Sequence, residues 1–431
     1  IVAETALAKG ALKEIEGKIK NVTDLAGYLQ GQGQAASITD ILKTIFGSAL
    51  ILGVSDIHFE SITRNKGLLR FRVDGVLRDV AGFPPKTVAA IVSRLKLLSE
   101  LKLNITTAPQ DGRFTIETER GPIEARTSIV PAEFGEAAVL RILNPQVIAM
   151  TLPDLGLRAD DEKIVLKELA RPNGMILVTG PTGAGKTTAI YAFLKKIRTS
   201  AQKIITIEDP IEYHLEGIEQ TQVDARSGYT FASGLRSILR QDPDIILVGE
   251  IRDLETAQTA IHAALTGHLV FSTLHTNNAA GAIPRLIDLG VKTSVIGPAL
   301  AVVLAERLVR RLCPACRKEA AIDKALEEKL QKFLQRLPKR VSPRKIRPKL
   351  FEAVGCDKCS GGYRGQIGLF EVLEMGEELD ALIKKEAAEG EINKAARRAG
   401  MVLMQEDGVL KALDGVTTLG EVERATGPIE W

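Results

Sequence analysis

A chain of 431 residues is too long for one ordinary hydrophobic core, so two or three domains are expected. Hydrophobic residues make up 45% and charged residues 26%, a globular balance, and a net charge of 57 − 54 = +3 argues against a strong general attraction to nucleic acid or membrane. The longest strongly apolar stretch, 295–305, is broken by Gly297 and Pro298 and falls far short of the ~20 residues of a membrane span; with no charged-then-apolar leader, a cytoplasmic protein is expected.

Residues 1–35 read as a helical Lys/Glu-rich segment running into the soft "GQGQAAS". Over 36–147 short strands predict an α+β domain. In "LLRFRVDGVLRDV" apolar and polar residues alternate on either side of Asp74-Gly75, a strong hairpin turn. A second hairpin is expected in "GRFTIETERGPIEARTSIV", and helical periodicity fits "TVAAIVSRLKLLSELKL" between them. The prolines and glycine of "LNPQVIAMTLPDLG" (143–156) mark a linker, placed at 148–156. From 157 to 431 the strands "GMILVTG", "KIITIED", "DIILVGE" and "HLVFSTL" alternate with helices, which predicts an α/β domain with a parallel sheet covered on both faces. The basic segment "RLPKRVSPRKIRPK" (336–349) reads as a solvated loop, with a partner-docking surface as the alternative.

"GPTGAGKTT" follows one of these strands and opens a helix. It comprises Gly180, Pro181, Thr182, Gly183, Ala184, Gly185, Lys186, Thr187 and Thr188. Glycines let backbone N–H groups curl around phosphates, and the helix N-terminus adds partial positive charge. Lys186 is expected to reach the β- and γ-phosphates of a nucleoside triphosphate, and the Thr187 hydroxyl to bind Mg²⁺; the resemblance drawn below makes that nucleotide ATP. Two further strands end in acids: "TIEDPIEY" carries Glu208, Asp209 and Glu212, and "IILVGEIRD" carries Glu250, with Gly249 where an aspartate would be expected. Ligands of open parallel sheets sit beyond the carboxyl ends of strands, so these acids should converge on the bound phosphates. For Asp209, capping of the turn before Pro210 is an equal alternative. His275, past the end of "HLVFSTL", is a candidate γ-phosphate sensor or a satisfied loop histidine; His58, His214 and His262 are taken as structural.

All four cysteines fall in two CxxC pairs, Cys313/Cys316 and Cys356/Cys359. Two such pairs in a cytosolic chain read as a structural zinc site, closed because four thiolates leave no open position. Disulfides are disfavoured by the compartment, and a redox CxxC would not need a second pair.

The ordered set "SDIHFE", "RFRVDG", "GPTGAGKTT", "TIEDPIEY", "DPDIILVGEIRD" and "TGHLVFSTLHTN" resembles the secretion ATPase superfamily of type II secretion and type IV pilus assembly, from about residue 36 to the C-terminus. The resemblance implies a RecA-like P-loop ATPase domain preceded by a smaller α+β, PAS-like domain, with a zinc-binding insertion at 313–359 inside the ATPase domain. It makes Gly249 the usual occupant of its position, Glu250 the catalytic glutamate and Glu212 its partner. It further implies a homo-hexamer whose nucleotide site is completed by Arg70 and Arg72 and by Arg236 and Arg240. The first pair lies two apart on a strand, and the second four apart on a helix face. Surface salt bridging is the alternative for these arginines. The partner implied is an inner-membrane platform protein, with the chain peripheral at the inner face of the cytoplasmic membrane. The N-terminal docking domain of relatives is expected to be missing or reduced to 1–35. Two rival classes stand beside this reading: a P-loop nucleic-acid translocase, which near-neutral charge argues against, and a non-hydrolysing nucleotide-binding regulator.

Overall fold

The alternating stretch around Asp74-Gly75 forms a tight hairpin in the computed structural model, which describes residues 7, 10–31, 37–119, 121–144, 149–341 and 348–431. Strands β1 (Val54–Thr63), β2 (Lys66–Val73) and β3 (Val76–Phe83) pair antiparallel, with Val73 opposite Val76. Asp74 and Gly75 both take positive φ, 49° and 76°, as a two-residue turn matching strand twist requires. The helix expected over 87–103 runs from Pro85 to Leu98. It stops early because Glu100 turns left-handed (φ 58°), so that Glu100 N–H donates to Leu97 O and Leu101 N–H to Lys96 O.

Beyond it, β4 (Gln110–Thr118), β5 (Gly121–Ala132) and β6 (Gly135–Leu143) complete a six-stranded sheet in the order β3-β2-β1-β6-β5-β4. One face carries Ile57, Phe59, Leu69 and Phe71, all fully buried against the helices Ile38–Ile51 and Pro85–Leu98. The other face carries Arg70 and Arg72, as the two-residue spacing predicts. Helices Ala11–Lys18 and Val22–Gly31 sink Leu12, Ile19, Leu25 and Leu29 into the same core, so this part of 1–35 packs as one body with the sheet.

That first unit takes Ile1–Gln146 together with Leu312–Arg317 and Ala353–Gln366; the second takes Val147–Arg311, Lys318–Glu352 and Ile367–Trp431. The expected insertion at 313–359 is thus shared between them: its cysteine turns fall in the first unit and the residues between in the second. Within the expected linker a short helix, Leu152–Leu155, forms behind a Thr151/Asp154 capping box and buries both leucines. Residues 145–148, most of "GQGQAAS" and 342–347 of the basic segment lie outside the described residues.

In the second unit, β7 (Gly174–Thr179), β8 (Ile204–Glu208), β9 (Glu219–Gln222), β10 (Ile245–Val248), β11 (Leu269–Leu274), β12 (Leu300–Leu312) and β15 (Tyr363–Glu374) form one sheet in the order β15-β12-β7-β11-β10-β8-β9. A two-stranded sheet, β13 (Lys318–Ala320) and β14 (Leu350–Glu352), stands apart from it. Strands β7, β8, β10 and β11 are buried along their whole length, which is why they read as unbroken apolar runs. Alternate residues feed opposite cores. Ile176, Val178 and Phe271 pack under helix Lys186–Ile197, while Met175, Leu177 and Val270 pack under Phe231–Ile238 and Leu254–Leu265. Parallel pairing of β7 with β11, β11 with β10 and β10 with β8 aligns four carboxyl ends along one edge. Among the described residues no helix is long and apolar enough to cross a membrane.

Candidate active site

Strand β7 delivers its carboxyl end into Gly180–Gly185, and Lys186 begins the next helix. Gly180, Gly183 and Gly185 take φ of 153°, 76° and 106°, a region that side chains disfavour. Space requires glycine as well: a Cβ on Gly180 would lie 2.5 Å from Glu306 O, and one on Gly185 2.3 Å from Glu306 Oε1. Pro181, Thr182 and Gly183 are exposed at the tip, Ala184 is buried beneath it, and Thr187 and Thr188 are half-buried in the first helical turn. This cradle of backbone amides at a helix start fits a phosphate group. The Lys186 ammonium donates to Gly180 O at 2.7 Å and Pro181 O at 3.1 Å. Burial lowers its pKa, opposed by the negative charges of Glu250 and Glu306.

At the end of β10, Gly249 N–H donates to Ile207 O at 2.8 Å and Thr273 Oγ1 donates to Gly249 O at 2.7 Å, so the backbone is clamped between β8 and β11. A Cβ on Gly249 would meet Ile207 O at 3.2 Å and Glu208 Cα at 3.3 Å. A side chain here is a tight fit that asks the clamped β8 backbone to give by a few tenths of an ångström. Gly249→Asp should lose about 1–3 kcal/mol of stability through overpacking, measured by denaturant unfolding; unchanged stability would show that the strand end relaxes freely.

One residue on, Glu250 is nearly buried, with one carboxylate oxygen facing a guanidinium and the other an imidazole. Arg252 Nη2 lies 2.5 Å from Oε1 and His275 Nε2 lies 3.5 Å from Oε2. Arg252 also reaches toward Asp209, 3.9 Å from Nη1 to Oδ2, and so bridges two acidic strand ends. Sequence reasoning passed over Arg252, although its place two residues after Glu250 on an exposed strand end was the available signal.

The acids of "TIEDPIEY" separate. Glu208 points inward and accepts from Thr206 Oγ1 at 2.6 Å, Tyr191 OH at 2.5 Å and Gln220 Nε2 at 3.0 Å. Burial, then the Glu208 charge, pushes the Tyr191 pKa up. Asp209 is exposed toward Arg252, and the half-buried Glu212 carboxylate makes no hydrogen bond or ion pair among the described residues. Arg236 pairs with Glu255. Arg240 lies off the expected helix, which ends at Ile238; in the 3-10 turn Leu239–Gln241 it donates to Arg236 O at 2.9 Å and Ser237 Oγ at 3.2 Å. In the first unit, Arg70 pairs with Glu60, and Arg72 Nε lies 3.4 Å from Asp56. Each of these four arginines has a local partner within its own unit.

The four cysteines converge. All four Sγ atoms lie within 4.8 Å of one another, with 3.9 Å between Cys313 and Cys356 and 3.7 Å for Cys316–Cys359 and for Cys356–Cys359. Four thiolates about 2.3 Å from one centre at tetrahedral corners stand about 3.8 Å apart, so the donor set fits zinc. None forms a disulfide.

The model of the Type II/IV secretion system protein family matches residues 31–424. The chain belongs to that family. Similar family members include the type II secretion system protein E of Pseudomonas aeruginosa, 44% identical over 399 residues covering 92% of this chain and 77% of that one. The type II secretion system ATPase E of Vibrio cholerae is 44% identical over 392 residues, 91% and 76% of the two chains. Among solved structures, the pilus retraction motor PilT with bound ADP is similar at a TM-score of 0.58 and 27% identity, covering 89% of this chain and 96% of that one. The Legionella pneumophila ATPase DotB shares the fold, with a TM-score of 0.62 at 22% identity over 89% and 95%. As a member of the Type II/IV secretion system protein family, the chain is a secretion ATPase: an α/β nucleotide-hydrolysing unit with a smaller N-terminal domain and a four-cysteine cluster suited to zinc.

Proposed function

We propose that this chain is a Mg²⁺-dependent motor whose ATP turnover drives pilin or pseudopilin polymerisation. The observation that carries the reading is the nearly buried Glu250 carboxylate, close enough to Lys186 to stabilise its charge, at the edge where the P-loop opens. Hydrolysis of a phosphoanhydride needs a positioned water and charge stabilisation more than covalent catalysis. In this reading Gly180–Thr188 hold the phosphates, Lys186 stabilises charge at the γ-phosphate and Glu250 orients the attacking water, with Glu212 as its partner. His275 senses the γ-phosphate from beside Glu250. Mg²⁺, held through the Thr187 hydroxyl, would neutralise charge on the phosphate oxygens.

The same reading has six copies working together, with Arg236 and Arg240 and the first-unit Arg70 and Arg72 released from their local partners to complete the nucleotide site. Their planar forks suit bidentate phosphate binding. The moving hexamer would act on a platform protein from the cytoplasmic face of the inner membrane, and zinc on the four cysteines would serve structure alone. Steady-state phosphate release with and without DNA tests the reading. We expect turnover that Lys186→Ala abolishes and DNA leaves unchanged. Strong stimulation by DNA would favour a translocase, and nucleotide binding without turnover a regulator.

A further inference from the structure

Strand β12 runs beside β7 and carries, at the end of the apolar run "AVVLA" and just before Arg307, one acid, Glu306. Its side chain is 1% exposed and lies directly beneath the P-loop, where it fills the space a Cβ on Gly185 would need. Its Oε2 is buried with no hydrogen-bond partner among the described residues. Two cations face it, and both are engaged elsewhere. Lys186, from the helix after the loop, donates to Gly180 O and Pro181 O. Lys411, from helix Met404–Leu413, pairs with Asp407 and donates to Gly368 O at 2.7 Å. A buried carboxylate without hydrogen bonds is strongly disfavoured and takes up a proton instead.

We propose that Glu306 is a positioning residue of the phosphate site: neutral, it packs under Gly180 and Gly185 and leaves Lys186 free for phosphate, whereas ionised it competes with that phosphate for Lys186. The proposal rests on the reading of Gly180–Thr188 as the nucleotide site. Burial pushes the Glu306 pKa up to about 8, with Lys186 and then Lys411 pulling the other way. The folded-state value lies above the ordinary one. The stability this group contributes is therefore complete below the ordinary carboxyl range and is lost as pH rises through about 8. Phosphate affinity follows the same sign. A bound phosphate adds negative charge near the carboxyl group and draws its proton on more firmly, so above pH ~8 binding takes one proton from solvent.

The test is equilibrium binding of Mg²⁺-ADP to the full chain by isothermal titration between pH 7.5 and 9.5, in two buffers of different ionisation enthalpy, for the natural chain and Glu306→Gln. We expect the natural chain to lose up to about tenfold in affinity per pH unit above the carboxyl pKa, with proton uptake on binding. Glu306→Gln should match it within about twofold at pH 7.5, hold its affinity as pH rises and show no uptake. Lys186 also loses charge at high pH, and the glutamine variant isolates the Glu306 share. Equal pH slopes in the two proteins would overturn the proposal, as would absent uptake in the natural chain, a readout independent of whether the variant folds. Nucleotide binding without pH dependence would sink the Glu306 role alone; no binding at any pH would sink the P-loop reading with it.

Discussion

Glu250→Gln should lower kcat for ATP hydrolysis by about 10²–10⁴-fold while leaving ATP affinity within a few-fold. Glutamine keeps the shape of the side chain and one acceptor oxygen but removes the charge. In the natural chain that charge is poised between Arg252 Nη2 at 2.5 Å and His275 Nε2 at 3.5 Å, in a nearly buried position where solvent screens little. A neutral amide neither draws a proton from the attacking water nor balances Arg252. Each tenfold loss corresponds to about 1.4 kcal/mol of lost transition-state stabilisation. In the proposed reading the P-loop amides and Lys186 carry binding; the substitution leaves both in place and removes from Lys186 only the neighbouring Glu250 charge, an effect of a few-fold at most on affinity. Steady-state phosphate release, giving kcat and KM separately, is the measurement. A kcat within twofold of the natural chain would mean that another group orients the water, and Glu212, beyond the carboxyl end of β8, would be the next to replace.

Removal of metal from the cysteine cluster should have an effect of comparable size on stability. With Sγ atoms 3.7–3.9 Å apart, the two CxxC turns are arranged as a closed tetrahedral shell. Those turns lie in Leu312–Arg317 and Ala353–Gln366, short segments whose own apolar burial is slight. A structural zinc can contribute on the order of 10 kcal/mol to folding, far more than such segments gain by packing. We therefore expect one zinc per chain by elemental analysis. Cys316→Ser or chelation should release it and expose both segments to proteolysis and rapid amide exchange. A metal-free chain with unchanged protection there would remove the zinc assignment.

Much of the second unit was legible because strands buried on both faces must be apolar throughout, so "MILVT", "IITIE", "IILV" and "LVFSTL" announce themselves without a periodic pattern. The P-loop is legible for a different reason, since its glycines, lysine and threonine have fixed jobs at fixed offsets. Asp74-Gly75 was readable because few dipeptides tolerate two positive φ angles.

What was hidden depends on chain segments far apart in sequence. Glu306 looks like part of the charged "ERLVRR" end of a strand, and only the placement of β12 beside β7 reveals the loop resting on it. The setting of Gly249 likewise required β8 at its flank, where Ile207 and Glu208 make a side chain a tight fit. The early end of the helix Phe231–Ile238, which takes Arg240 off its face, has no marker in a four-residue spacing. Nor does the distribution of the cysteine turns and the 318–352 segment between two units follow from ligand spacing, which fixes the metal's donors and leaves open what each connecting segment packs against.

In the proposed reading, one edge of the second unit's sheet binds nucleotide through Lys186 and hydrolyses it through Glu250. The most direct test measures ATP binding and phosphate release side by side in Lys186→Ala and Glu250→Gln. We expect a split, with binding and turnover both lost in Lys186→Ala, and binding kept while turnover is lost in Glu250→Gln. Loss of binding in both, or full turnover in Glu250→Gln, would contradict it.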